Sequence, residues 1–190
     1  MTTVPAGPDP RRARFERLVD DVLAPLQRYL RRRATPEVAE DALADTLLVL
    51  WRRLDAVPEA AGEALPWAYA VARRCLANHQ RAGRRHLRLV GRLGGQLPVR
   101  PTTAPPADAA HDGDPELEAA LATLSADDRE LLQLWAWEQL EPQEIATVLG
   151  VTANAVSIRL HRARQKLGRN LGRKNQPGHG HSPLGLAEEH

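Results

Sequence analysis

Gly150 separates two short runs of apolar residues, and each run has the spacing of an α-helix. Pro142 suits the first turn of the preceding helix, and Gly150 suits the left-handed backbone that commonly ends one. Apolar spacing resumes at Thr152 or Ala153 and continues to about residue 171. Two helices joined by so tight a turn predict a helix-turn-helix unit near the end of the chain.

The final helix of this unit has an apolar side and a polar side. Val156, Leu160, Ala163 and Leu167 share the apolar side. In a helix-turn-helix the other side enters the DNA major groove, where Asn and Gln read base edges, Arg and Lys neutralise phosphates, and Ile158 can contact a thymine methyl. The candidate DNA-binding residues are Asn154, Ser157, Ile158, Arg159, His161, Arg162, Gln165 and Lys166. A helical hairpin with a solvated basic face is the alternative.

Charge is strongly segregated along the chain, although the net charge is only +2. Residues 66–107 hold eight Arg and no acid, and residues 151–174 hold seven Lys or Arg and no acid. Residues 116–144 hold eight acids against one Arg. Two separate basic blocks predict two surfaces that contact polyanions.

Apolar residues at helical spacing predict an all-α protein with helices on both sides of a linker. Pro25 is expected to kink or split the first helix, and the third helix is expected to end near residue 85. Thr35 and Ser125 are expected to cap the starts of two of the helices. The linker holds four Gly and four Pro. The predicted organisation is a disordered N-terminus (1–10), a first helical domain (11–86), a flexible linker (87–114), a second helical domain with the helix-turn-helix (115–172) and a disordered tail (173–190).

Several classes of protein are disfavoured. With a single cysteine no intrachain disulfide can form, so a cytoplasmic location is expected. Signal-peptide and membrane-span patterns are absent, and membrane insertion is not expected. The sequence has no phosphate-cradling Gly loop and no metal-ligand spacing, which predicts neither an enzyme nor a cofactor or metal site. A helix-turn-helix repressor or a response-regulator output domain is the main rival interpretation.

Three motifs, in order along the chain, resemble those of bacterial RNA polymerase sigma factors of the sigma-70 family, above all the extracytoplasmic-function (ECF) group. The first resembles A-E-D-L-V-Q-E-T-F-L-x-x-W, the second A-W-L-Y-x-I-A-R-N-x-x-x-D-x-x-R, and the third E-I-A-x-x-L-G-[IV] followed by V-x-x-R-L-x-R-A-R. The matching residues are Ala39, Glu40, Asp41, Thr46, Leu48, Trp51, Trp67, Tyr69, Ala72, Arg73, Arg81, Glu144, Ile145, Ala146, Leu149, Gly150, Val151, Val156, Arg159, Leu160, Arg162, Ala163 and Arg164.

The resemblance implies a transcription initiation factor with core RNA polymerase (the clamp of its largest subunit and the flap), promoter DNA and an anti-sigma factor as partners. The second helix would bind the clamp, and the final helix would read the minus-thirty-five element. The implied polymerase-binding residues are Asp41, Asp45, Leu48 and Arg52, and the implied minus-ten-binding residues are Trp67, Tyr69, Arg73, Arg74 and Arg81. The loop 55–66 would capture an unstacked base. Either aromatic ring could instead belong to the core, and Leu48 could be a stray surface leucine.

Overall fold

The computed structural model describes residues 9–60, 62–92 and 115–174. In these residues the chain is all-α, without a strand, and the predicted fold class is confirmed. The helices are α1 (Pro10–Arg31), α2 (Pro36–Arg52), α3 (Ala64–Arg92), α4 (Pro115–Ala122), α5 (Ala126–Ala136), α6 (Pro142–Leu149) and α7 (Ala153–Lys174), and a short 3-10 turn (Leu54–Ala56) follows α2. Within the same residues, a helix with the length and apolar character needed to cross a bilayer is not found.

Two helices differ from the sequence prediction. Helix α1 is one continuous helix with Pro25 inside it, so the proline does not split it. Helix α3 continues to Arg92, beyond the predicted end near residue 85 and into the segment assigned to the linker. Helix α1 begins at Pro10 and α7 ends at Lys174, so each includes residues that were predicted to be disordered. The rest of the predicted disordered ends, residues 1–8 and 175–190, and the linker from residue 93 to 114 lie outside the described residues. The domain boundaries therefore stay predictions.

Helices α1, α2 and α3 pack on one another around a core of small and branched side chains. Ala42 of α2 and Ala68 of α3 are fully buried, and side chains this small allow neighbouring helices to approach closely. Thr46 is also fully buried, and its hydroxyl donates a hydrogen bond of 2.6 Å to the Ala42 carbonyl. Because that bond satisfies the hydroxyl, a polar residue is tolerated in the core.

Helices α4 to α7 form a second group, in which α7 packs against α4, α5 and α6. The starts of two helices are capped as their sequences indicate. The Ser125 hydroxyl accepts a bond of 3.1 Å from the Asp128 amide, and the Thr152 hydroxyl accepts one of 3.2 Å from the Ala155 amide. Each cap satisfies an amide that has no partner within its helix.

Two residues with positive φ shape the turns on either side of α6. Gly150 has φ 70°, and its amide donates to the Ala146 carbonyl at 2.8 Å, which ends α6 as predicted. Gln139 has φ 56°, an uncommon conformation for a residue with a side chain. The Leu140 amide donates to the Leu134 carbonyl at 3.2 Å, so a backbone hydrogen bond closes the turn that follows α5.

The two helix groups contact each other. Helix α3 packs against α6, and the buried apolar residues of both groups form one continuous cluster. In the described part of the chain, α3 therefore belongs to the first group and also forms the surface on which the helix-turn-helix rests.

Candidate functional site

The two sides of α7 are sorted as its sequence predicts. Val156, Leu160 and Ala163 are buried, and Leu167 packs partly buried against the core. Most of the candidate DNA-binding residues are exposed on the other side, namely Asn154, Ser157, Ile158, His161, Arg162, Gln165 and Lys166. A helix with one buried apolar side and one exposed polar side is available to a groove of DNA without any change in its own packing.

Arg159 is the candidate on α7 that the structure places differently from the others. Its side chain is 36% exposed, and its Nη2 lies 3.7 Å from Asp127 Oδ2 and 3.9 Å from Asp128 Oδ1, at the start of α5. Ion pairs this long and exposed contribute little to stability. Arg159 can therefore exchange these carboxylates for a phosphate at little cost.

An arginine stacked on a tryptophan is a feature of this surface that the sequence did not single out. The Arg164 guanidinium lies 4.6 Å from the centroid of the Trp135 ring, and Trp135 is 38% exposed. The contact joins α7 to α5 through a cation–π interaction. Arg164 belongs to the family motif, but nothing in the spacing of the sequence places it against Trp135.

The candidate polymerase-binding residues lie on the exposed side of α2. Asp41, Asp45, Leu48 and Arg52 are all exposed. Leu48 is 51% exposed, which is unusual for a leucine in the middle of a helix in a protein with a formed core. The carboxylate of Asp45 is held by α3, because His79 Nε2 lies 2.8 Å from its Oδ2. The result is an exposed leucine flanked by charged side chains, one of which is held by a neighbouring helix.

The candidate minus-ten residues on α3 are divided between exposed and covered positions. Arg74 and Arg81 are exposed, and Arg81 bonds within its own helix to the Asn78 side chain at 2.7 Å. Trp67 is partly buried against the core. Tyr69 is only 2% exposed, and its burial raises the pKa of its phenol above the ordinary value. Arg73 Nε donates a bond of 2.7 Å to the carboxylate of Glu130 in α5.

A cleft of about 600 Å³ lies beside α1 at the entrance to α3. Arg14, Arg17, Val57, Gly62 and Leu65 are among its lining residues. The Arg14 Nη2 donates to the Val57 carbonyl at 2.9 Å and lies 3.2 Å from a carboxylate oxygen of Glu59 in the same wall. The cleft thus combines apolar side chains with two arginines of α1 and the carboxylates of Asp21 and Glu59. Residues of the loop 55–66, to which the resemblance assigns base capture, form one of its walls.

Comparison with known proteins gives two findings from sequence. Residues 115–167 match the family described as Sigma-70, region 4. Over 147 residues the chain is 32% identical to the ECF RNA polymerase sigma factor SigL of Mycobacterium tuberculosis, across 77% of this chain and 82% of SigL. The matched region-4 segment contains the whole helix-turn-helix formed by α6 and α7 up to Leu167.

Two solved structures are similar in fold. The sigma factor RpoE, solved in complex with the anti-sigma factor NepR from Bartonella quintana, is 22% identical, with a TM-score of 0.59 over 86% of this chain and 98% of that one. CnrH, solved with the cytosolic domain of CnrY, is 22% identical, with a TM-score of 0.54 over 85% of this chain and 89% of that one. At such identities the likeness shows the fold alone.

The identity to SigL extends over most of both chains, and the region-4 match covers the helix-turn-helix. The protein therefore belongs to the ECF RNA polymerase sigma factors, the transcription initiation factors that direct the polymerase to promoters.

Proposed function

We propose that this sigma factor uses three separate surfaces: the exposed side of α7 for the minus-thirty-five element, the exposed side of α2 for core polymerase, and the start of α3 with its neighbouring cleft for the melted minus-ten strand. The observation that carries the proposal is the outward side of α7. It presents base-reading and phosphate-pairing side chains on a helix whose other side is buried.

The direct readout on α7 is divided between polar and apolar side chains. Asn154 and Gln165 supply amides for base edges, and Gln165 Nε2 lies 3.0 Å from His161 Nε2, so the two side chains are already ordered together. Ile158, at 45% exposure, supplies the apolar contact for a thymine methyl. Arg162 and Lys166, which lie four residues apart on the same exposed side, supply phosphate contacts.

The proposed polymerase contact centres on Leu48. An exposed apolar side chain ringed by Asp41, Asp45 and Arg52 has the composition of a small interface centre with a polar rim. The 2.8 Å contact of Asp45 Oδ2 with His79 Nε2 holds part of this rim in place before binding. A partner surface with an apolar recess and basic side chains complements it.

The proposed minus-ten contact combines Trp67, Arg74 and Arg81 on α3 with the cleft lined by Arg14 and Arg17. Aromatic rings stack on unpaired bases and arginines pair with the backbone. A volume of about 600 Å³ is ample for one base turned out of the strand. Holding such bases is how the factor would help open the duplex.

Two further elements complete the proposal. An anti-sigma factor is proposed as a regulator, because RpoE, which has a similar fold, was solved in complex with one.

The chain supplies binding surfaces while the polymerase supplies the chemistry, so the factor itself is proposed to be non-enzymatic. It would act in the cytoplasm, where the polymerase and the promoters are.

Reconstituted transcription tests the proposal. The purified full chain would be added to core polymerase lacking any sigma factor, on a mixture of promoter fragments, and the RNA 5′ ends would be mapped. RNA that starts at discrete positions, each with a shared upstream element, is expected. If the chain fails to join the polymerase and instead binds duplex DNA tightly alone, the repressor interpretation replaces the three-surface proposal.

A further inference from the structure

The carboxylate of Glu138, in the turn between α5 and α6, is buried in the first helix group. Its side chain is 3% exposed. Its Oε1 accepts a bond of 3.0 Å from Arg33 Nη1, and Arg32 Nη1 and the Tyr69 hydroxyl lie 3.4 and 3.5 Å from its carboxylate oxygens. An acid from the helix-turn-helix half therefore occupies a cation site that the first half builds.

Glu130 of α5 is a second carboxylate that pairs with an arginine of the first helix group. Arg73 Nε donates to Glu130 Oε1 at 2.7 Å, and Arg73 Nη2 donates to Glu130 Oε2 at 2.9 Å. This two-point geometry is the one in which arginine also binds a phosphate. Arg73 is one of the minus-ten-binding residues that the family resemblance implies, and in the free chain its guanidinium is engaged by Glu130.

The Arg33 site has more donors than Glu138 uses. The Arg33 side chain is 10% exposed, and its guanidinium lies 3.8 Å from the centroid of the Tyr29 ring. Its Nε and Nη2 are buried without a hydrogen-bond partner. Buried donors without partners cost stability, and a ligand with more acceptor oxygens than one carboxylate would satisfy them. A phosphodiester group is such a ligand.

Charged contacts of this kind are well suited to a reversible interface. The desolvation of a buried ion pair offsets much of its attraction, so the net contribution of such pairs is small compared with an apolar contact of equal area. Once the halves separate, Glu130 and Glu138 regain water, and the arginines become available to another anion. The same arginines can therefore alternate between two anionic partners.

We propose that Glu130 and Glu138 are internal competitors of promoter DNA: in the free chain they occupy arginine sites of the first half, and these sites take backbone phosphates once the two halves separate. The inference rests on the proposed function in one respect, the binding of a promoter strand by the first half. It adds Arg32 and Arg33 to the residues that contact DNA.

The test compares the full-length double variant Glu130→Gln, Glu138→Gln with the wild type. Glutamine keeps the shape of each side chain and removes its charge. The matched control is Glu16→Gln, because Glu16 is an exposed acid that pairs with Arg12 inside α1, at 2.8 Å. Circular dichroism and thermal unfolding establish that the variants are folded. The single variant Glu130→Gln, at a partly exposed position, serves if the double variant does not fold.

Two measurements are made on each protein. The distance between the halves is read by electron paramagnetic resonance from nitroxides on Asp20→Cys and Gln143→Cys, both exposed positions. Affinity for a short fluorescein-labelled single-stranded DNA of mixed sequence is read by anisotropy. The double variant should show a longer or broader distance distribution and bind the DNA roughly tenfold more tightly, because a larger fraction of molecules is open. Adding Arg32→Gln should remove a substantial part of this gain.

An unchanged distance distribution in the double variant would overturn the proposal, since the carboxylates would then not hold the halves together. A longer distance without tighter DNA binding would overturn it as well, because the released arginines would not be phosphate sites. Transcription by the same proteins is measured separately. If neither wild type nor variant supports it, the proposed function fails, while the distance and affinity comparison still decides the competition.

Discussion

The rings of Tyr29 in α1 and Tyr69 in α3 lie with their centroids 5.1 Å apart, at an angle of 46° between their planes. Both rings are at least 98% buried, and they are the only tyrosines of the chain. Their contact ties the first helix to the one that carries the proposed minus-ten residues. It also places two ionisable phenols in the core.

Stability should fall at alkaline pH because of Tyr29. Burial raises the pKa of its phenol from 10.0 to about 12, opposed in part by the charge of Arg33. Below pH 10 the phenol is protonated in the folded and in the unfolded chain, and its contribution to the free energy of unfolding is fully present. Between pH 10 and about 12 the phenol ionises in the unfolded chain but not in the folded one, so this contribution is lost as the pH rises. Urea unfolding across this range should show a steeper loss for wild type than for Tyr29→Phe. Equal slopes would contradict the assignment.

Replacing Leu48 with Asp should weaken binding to core polymerase by about tenfold or more, since it puts a charge at the proposed apolar centre of the interface. Stability should change little, because Leu48 is 51% exposed. Leu89→Asp is the matched control, as Leu89 is 57% exposed on α3 and lies outside the proposed surface. Titration of labelled sigma factor with core polymerase measures both. Equal affinities for the two variants would exclude α2 as the contact.

Replacing Arg162 with Ala should weaken binding of polymerase holoenzyme to every promoter by a similar factor. The slope of log K against log salt should become shallower by about 1, as expected for one lost phosphate contact. Filter binding over a series of salt concentrations measures the slope. Arg53→Ala, at an exposed position after α2, is the control and should leave the slope unchanged. An unchanged slope for Arg162→Ala would show that this side chain does not touch a phosphate.

Ile158 should confer sensitivity to a thymine methyl in the minus-thirty-five element. Replacing the contacted thymine with deoxyuridine removes that methyl and should weaken holoenzyme binding about threefold to fivefold, close to the value of one buried methyl group. An Ile158→Ser holoenzyme should bind both DNAs equally. Val151→Ala, which shortens the exposed apolar side chain in the preceding turn, should retain the preference. If the wild-type holoenzyme binds with the same affinity when each thymine of the minus-thirty-five element is replaced in turn by deoxyuridine, Ile158 does not contact a thymine methyl.

The turns around α6 predict opposite effects of adding and removing a glycine. Gln139→Gly should stabilise the fold by about 1 kcal/mol, because Gln139 has φ 56° and glycine adopts that conformation without strain. Gly150→Ala should destabilise it by about 1 kcal/mol through the backbone alone, since a Cβ at this position meets no atom within 4 Å. Chemical unfolding measures both. A loss larger than about 3 kcal/mol for Gly150→Ala would indicate a steric clash instead.

Features set by neighbouring residues were predictable from the sequence. The Gly150 turn, the Ser125 cap and the two sides of α7 follow from spacing and from local hydrogen bonding, and the structure confirms them. The exposure of Leu48 followed from the same helical spacing. Thr35 shows the limit of such reasoning: it occupies the predicted cap position of α2, but its side chain makes no capping bond.

Features that depend on contacts between distant segments were not predictable. Glu130 and Glu138 lie 57 and 105 residues from the arginines they pair with, and no spacing pattern connects them. The extension of α3 to Arg92 was missed because its last turns are rich in exposed charge and contain Gly91 within a segment that reads as linker. The sequence is compatible with Tyr69 either in the core or on the DNA-binding surface. Its contact with Tyr29, between α1 and α3, places it in the core.

The two helix groups are parts of one chain, joined through residues 93–114. Their association therefore does not depend on the concentration of the sigma factor, whereas capture by polymerase depends on how much core enzyme is free. If the polymerase binds only the separated halves, the α3–α6 contact sets a threshold for recruitment: scarce core enzyme leaves the factor closed, and abundant core enzyme recruits it. Small changes in the strength of the α3–α6 contact would tune that threshold without altering a single residue that reads the promoter.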